Sequence, residues 1–143
     1  MLIHASCADF SGAGVLLCGG SGCGKSDLCL RLLDAGARLV ADDQTIVENE
    51  NGALVARCPE RIKGLLEIRG VGVVKTPYVP ETRVCAKIVL RPSVEIDRMP
   101  DFQTETIENV PVPVFFLDGF TASAVLKVKT IVAIVCQQRK VVS

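Results

Sequence analysis

Eight consecutive residues, Gly19, Gly20, Ser21, Gly22, Cys23, Gly24, Lys25 and Ser26, constrain this chain more than any other stretch. They fit G-x-x-x-x-G-K-[ST], the loop that cradles phosphates in nucleotide-binding proteins. The flanks agree. Apolar Val15–Cys18 reads as a buried strand, and Ser26–Ala35 reads as a helix that stops at Gly36. Strand, glycine loop and helix are the context the motif needs. Glycines let the backbone curl until several N–H groups face one anion. The helix start adds the positive end of its dipole. Lys25 supplies a mobile charge for the β- and γ-phosphates. The Ser26 hydroxyl suits Mg2+, a hard cation that takes oxygen ligands.

The length of 143 residues predicts one domain, residues 1–143, with a core of its own. Formal net charge is zero, so no basic footprint points to nucleic acid. Apolar residues make up 49% of the chain, yet runs such as Ile131–Cys136 stop far short of a membrane span of roughly 20 residues. No charged-then-apolar signal segment opens the sequence, and a cytoplasmic protein is expected. Seven cysteines, an odd number without C-x-x-C, argue against a disulfide or zinc framework. Cys18, Cys29, Cys85 and Cys136 lie in apolar runs and read as buried reduced thiols. Cys23, inside the loop, reads as a small tolerated residue, with oxidation at the helix start as the alternative.

The rest of the chain is rich in strands. Met1–Ala8 reads as an opening strand, Ser11–Gly14 as a turn, and Arg38–Ala41 as a strand ending in Asp42-Asp43. Thr45–Glu50 and Ala53–Arg57 flank Asn51-Gly52, a strong short-range hairpin signal. Cys58–Gly64 reads as a turn with one helical turn. Leu65–Arg69 reads as a strand broken by Gly70 and Gly72, Val84–Leu90 as an alternating strand, and Glu95–Pro100 as a short helix or turn. Gln103–Asn109 and Val110–Leu117 look extended, with Pro111 and Pro113 favouring a sheet edge. Thr121 is expected to cap a last helix through Gln137, with Arg139 and Lys140 near its negative end. The class is α/β with one βαβ unit, distinct from a doubly wound fold, which needs several βα repeats.

A strand leaving the loop helix is expected to return beside the loop strand, which would bring Asp42 and Asp43 to the phosphates. A carboxylate there holds Mg2+ through water or accepts a proton from an attacking hydroxyl. Simple turn chemistry is the alternative. Glu67 and Arg69 fall on one side of a strand, which by itself suits an exposed ion-pairing face. His4 is the only histidine, and Arg98 alone reads as a surface arginine.

Together, His4, the glycine loop, Leu39-Val-Ala-Asp-Asp43 and Leu66-Glu-Ile-Arg-Gly-Val-Gly72 stand in the order and nearly the spacing of one family. The chain resembles the C-terminal catalytic domain of HPr kinase/phosphorylase, bacterial enzymes that phosphorylate a serine of the phosphocarrier HPr. The resemblance is strong from about Leu2 to Lys75 and weaker to about Met99. It implies an α/β P-loop domain with a mixed, partly barrel-like sheet, similar to phosphoenolpyruvate carboxykinase. It implies ATP bound by Gly19–Ser26, Mg2+ held by Ser26 and Glu67, and Lys25 stabilising the transferring phosphoryl group. Asp43 would be the base for the substrate serine, and His4 would assist the reaction of inorganic phosphate. Arg69 would act within the second signature, and Arg98 matches the later catalytic arginine. The implied partner is HPr or an HPr-like carrier of the phosphotransferase system, and the implied assembly is a homo-hexamer.

Three departures stand out. The family's N-terminal domain has no counterpart in this sequence, as in truncated proteobacterial forms. Gly20 replaces a usual acidic residue. Pro111–Phe120 lies where the family has a basic loop tied to dephosphorylation. The resemblance therefore implies kinase action more strongly than phosphorolysis. Two other readings stay open: a nucleotide-sensing regulatory module with little catalysis, and a small-molecule kinase or NTPase in which Asp42 or Asp43 only holds the metal.

Overall fold

The computed structural model describes residues 1–136. Gln137, Arg139 and Lys140, expected at the end of the last helix, lie outside them. The strands are β1 (Leu2–Ile3), β2 (Ser6–Phe10), β3 (Ala13–Cys18), β4 (Arg38–Ala41), β5 (Thr45–Glu50), β6 (Ala53–Arg57), β7 (Leu65–Ile68), β8 (Gly72–Lys75), β9 (Glu81–Leu90), β10 (Gln103–Ile107) and β11 (Val110–Leu117). The helices are α1 (Lys25–Asp34) and α2 (Ala124–Val135), with single 3-10 turns at Glu60–Ile62 and Ser93–Glu95.

Nine strands make one mixed sheet: seven follow the order β1-β5-β6-β9-β3-β2-β4, and β11 and β10 branch from β9. Strand β9 is its fork. One edge pairs with β3 in parallel. The other pairs with β6 through Arg83 and earlier residues, then with β11 from Lys87 to Leu90. Strand β10 extends the sheet beyond β11, and β7 with β8 forms a separate antiparallel pair. Pro111 and Pro113 precede the stretch of β11 that joins β9, so their missing N–H groups cost that ladder nothing.

Both faces of the sheet are covered, which explains the continuous apolar run of β3. Val15 and Leu17 pack with Leu28, Cys29 and Leu32 of α1 and Val128 and Ile131 of α2. Leu16 packs on the other face with Cys7, Val40, Val47, Leu54 and Val112. Strand β9 changes faces midway, with Val84 in the second core and Ala86, Ile88 and Leu90 in the first. The cause is a bulge: Gly14 and Val15 of β3 face Val84 and Ala86, so Cys85 is an extra residue.

Several local expectations shift. Strand β4 does not return beside β3. The hairpin partner β2 occupies that edge, closed by a tight turn at Ser11 and Gly12 with φ of 51° and 98°. Both β3 and β4 run antiparallel to β2, so their C-terminal ends still emerge at the same end of the sheet. The expected opening strand breaks at His4-Ala5 into β1 and β2. The last helix begins at Ala124, while the Thr121 hydroxyl donates to the Asp118 carbonyl, so Thr121 is no cap. Of the four cysteines read as buried, only Cys29 is; Cys18 and Cys85 are half-buried and Cys136, past the end of α2, is exposed. All seven are free.

Candidate functional site

The glycine loop joins the end of β3 to the start of α1. Gly22 and Gly24 have φ of 76° and 91°, in the left-handed region where only glycine is unstrained. Gly24 is the residue before α1, and no side chain caps that helix start. Its first N–H groups therefore face outward as donors. Lys25 is buried, and its ammonium donates to the carbonyls of Gly19 at 2.9 Å and Gly20 at 3.3 Å. The cation that the motif assigns to phosphates also holds the curl of the loop.

The end of β4 supplies the second component. Asp42 is 9% exposed and accepts three hydrogen bonds. Its Oδ1 accepts from the hydroxyls of Ser26 at 2.9 Å and Ser6 at 3.1 Å, and Oδ2 accepts from the Glu67 N–H at 3.0 Å. One carboxylate thus ties together α1, β2 and β7. Burial pushes the neighbouring Cys29 thiol up to about 12, with the Asp42 charge adding to the effect.

Asp43 points elsewhere. It takes a left-handed φ of 66°, its N–H donates to the Ser6 hydroxyl at 3.0 Å, and its carboxylate lies 2.7 Å from His4 Nε2. Both side chains of this pair are more than half exposed. The left-handed turn makes the two adjacent aspartates diverge, one inward to the loop and one outward to His4. Ser6 bridges them.

A cleft of about 420 Å3 opens over the loop, lined by Gly22, Gly24, Lys25, Ser26, Glu67 and Arg69, with Phe120 along one side. Glu67 ends up there because the short pair β7–β8 packs against α1 through buried Leu66. Arg69 is not on the strand with Glu67 as expected. Strand β7 ends at Ile68, and Arg69 opens the glycine turn that leads into β8. The His4–Asp43 pair and Arg98 are not among the lining residues, and Arg98 is exposed on the stretch after the Ser93–Glu95 turn. A second concavity of about 360 Å3, lined by Phe102, Val110 and Pro111 with Arg83, contains none of the sequence-selected residues.

No cluster of three metal-binding side chains occurs among the described residues. The donor set at the cleft nevertheless fits Mg2+: the Ser26 hydroxyl, the Asp42 carboxylate bonded to it and the lining carboxylate Glu67 are all oxygen donors. Mg2+ needs no all-protein cage, since it keeps several waters and takes substrate phosphate oxygens.

Sequence reasoning passed over Ser6 and Phe120, and gave Asp42 no role apart from its neighbour. Ser6 carries no motif; its importance comes from β2 lying between β3 and β4. Phe120 carried one signal, an aromatic residue beside Gly119 in the segment that departs from the family's basic loop.

The family model of the HPr Serine kinase C-terminal domain matches residues 1–114. HPr kinase/phosphorylase of Limosilactobacillus reuteri (strain DSM 20016) is 38% identical over 123 residues, covering 78% of this chain and 38% of that protein. HPr kinase/phosphorylase of Burkholderia cenocepacia (strain HI2424) is 41% identical over 120 residues, covering 80% and 37% respectively. The chain thus spans well under two thirds of the length of these curated relatives. The solved structure of the Hpr(Ser) kinase/phosphatase from Coxiella burnetii superposes with a TM-score of 0.87 at 27% identity, covering 96% of this chain and 92% of that one. No helix among the described residues is long and apolar enough to cross a membrane. On the strength of a match over most of its length, supported by a curled mixed sheet of the same architecture, this chain belongs to the HPr Serine kinase C-terminal domain family.

Proposed function

We propose that the chain is an ATP- and Mg2+-dependent protein-serine kinase acting on HPr or an HPr-like phosphocarrier. The observation that carries this reading is the linkage of Ser26, Asp42, Ser6 and Asp43 through successive hydrogen bonds. It couples an anion-binding loop to an exposed carboxylate at the same end of the sheet. Gly19–Ser26 bind the phosphates through backbone N–H groups, and Lys25 counters the charge on the transferring group. Bound Mg2+, held by Ser26 and Glu67 with Asp42 behind them, would neutralise charge between the phosphates. The carrier serine approaches from the solvent side, where Asp43 is exposed. Its O–H bond breaks as its oxygen bonds the γ-phosphorus; Asp43 takes the proton and the bond to ADP breaks. His4 holds the Asp43 carboxylate in position through the 2.7 Å contact. Arg69, on the cleft wall, adds positive charge there.

The same proposal includes an assembly of several copies, hexameric in the family's manner, a cytoplasmic setting, one domain over residues 1–143 and kinship with phosphoenolpyruvate carboxykinase. Arg98 enters it only if the stretch after Ser93 closes toward the cleft when the carrier docks.

The test is incubation with γ-labelled ATP and a panel of HPr-like proteins. Asp43→Asn is expected to bind ATP as the parent does and to transfer phosphate about 10²–10⁴-fold more slowly, the usual contribution of a general base. Transfer at the parental rate would remove Asp43 from the reaction. A parent that binds ATP·Mg2+ and labels no carrier would be a sensing module. Adding excess inorganic phosphate to the labelled carrier tests the reverse reaction.

A further inference from the structure

We propose that the Phe120 ring is the stacking platform for the base of the nucleotide whose phosphates lie on the glycine loop, an inference that rests on the nucleotide-binding reading above. Phe120 is 65% exposed and belongs to neither apolar core. An exposed aromatic residue alone needs no explanation. Its position and its fixation do.

Two glycines bring its segment onto the loop. A Cβ on Gly24 would fall 3.0 Å from Cε1 of the ring and 3.1 Å from Cζ, so the ring lies directly against the loop backbone. A Cβ on Gly119 would fall 3.2 Å from Leu90 Cδ1 and 3.4 Å from the Cys23 carbonyl oxygen. The backbone before the ring is therefore packed onto the same loop.

The segment is also anchored on both sides of the ring. Asp118 accepts from the Phe120 N–H at 3.0 Å, and its other oxygen accepts from the Ser93 N–H at 3.0 Å and the Ser93 hydroxyl at 2.7 Å. These bonds, the Phe120 N–H first, hold the Asp118 carboxyl below its usual range. From α1, Arg31 donates to the carbonyls of Gly119 and Thr121, which flank Phe120, while its Nε donates to Asp27 at 3.1 Å. Arg31 is a positioning residue: it ties the ring's backbone to the helix that presents the phosphate site.

The result is a fixed apolar plane beside Lys25, Ser26, Glu67 and Arg69, all polar. A ligand that fits both kinds of wall is anionic at one end and flat and aromatic at the other. A nucleoside phosphate has that form. Aromatic stacking accepts any base, because every base has a π-face. The platform therefore gives affinity with little choice between adenine and guanine.

The test uses the full chain with Mg2+ and three probes: ATP, GTP and inorganic tripolyphosphate. Phe120→Ala is expected to lose about tenfold or more in affinity for ATP and GTP, the range of a lost base stack. Its affinity for tripolyphosphate and its melting temperature are expected to match the parent. The protein has no tryptophan, so Phe120→Trp makes a single reporter. It should bind ATP as the parent does, with emission quenched by ATP and untouched by tripolyphosphate. Unchanged ATP affinity in Phe120→Ala overturns the platform. So does an equal loss for tripolyphosphate, which would make the ring a wall of the phosphate site, or a change in assembly size with affinity intact. A parent that binds no ATP brings down the nucleotide reading as well, whereas a parent that binds ATP equally with or without the ring brings down the platform alone.

Discussion

Asp42 and Asp43 are chemically identical neighbours in different surroundings, and the difference is one backbone angle. The φ of 66° at Asp43 is tolerated by aspartate better than by most side chains, and it sends the second carboxylate out to His4. Asp42 keeps the strand direction and is buried under three donors. Removing it would leave the Ser6 and Ser26 hydroxyls and the Glu67 N–H short of an acceptor. Asp42→Ala is therefore expected to destabilise the fold by about 2–4 kcal/mol in urea unfolding. Asp43→Asn, exposed and paired only at the surface, is expected to stay within about 1 kcal/mol of the parent. Equal stability losses in the two variants would contradict the division of roles. The sequence could flag the pair but not divide it, because nothing local says which carboxylate accepts from the Ser6 hydroxyl, 36 residues away in the chain.

Among the elements, the tight turns show best what a short segment can dictate. Asn51-Gly52 closes β5 and β6 with φ of 55° and 87°, as that dipeptide predicts, and Ser11-Gly12 closes β2 and β3 in the same way. The third such turn, Glu108-Asn109 between β10 and β11, has φ of 48° and 64° but no glycine to announce it. Glutamate there is strained, and the strong register of the pair holds it. Glu108→Asn is expected to raise stability by about 0.5–1 kcal/mol, read from the urea midpoint at unchanged slope. A fall in the midpoint would mean that the Glu108 contact with the chain's amino terminus, at 3.9 Å, outweighs the strain. The bulge at Cys85 was equally hidden. The buried positions of β9 alternate straight through it, yet the bulge swaps which core they enter.

For the molecule as a whole, β9 is the member on which the sheet depends, since it pairs with β3 along one edge and with β6 and β11 along the other. The pair β7–β8, which brings Glu67 to the cleft, stands apart in its own two-stranded sheet with Val71 and Val73 exposed. Isolated two-stranded pairs are marginal. Native-state hydrogen exchange is expected to show β3 and β9 opening only with global unfolding, and β7–β8 opening at lower free energy. Uniform protection across both sheets would rule out an independently opening cleft wall. A wall that opens by itself would suit the proposed kinase, whose pocket would take up a nucleotide and meet a carrier protein.

Sequence alone determined the strand–glycine loop–helix unit, the Asn51-Gly52 hairpin and the family to which the chain belongs. Those signals reside in backbone preferences and side-chain types within a few neighbouring residues. Only the tertiary structure decided that β2 intervenes between β3 and β4, that Asp42 rather than Asp43 faces the loop, and that Phe120 lies on Gly24. Each of these depends on packing between distant segments, as when Arg31 reaches Gly119 across 88 residues. No local preference encodes a contact that exists only after the sheet has closed.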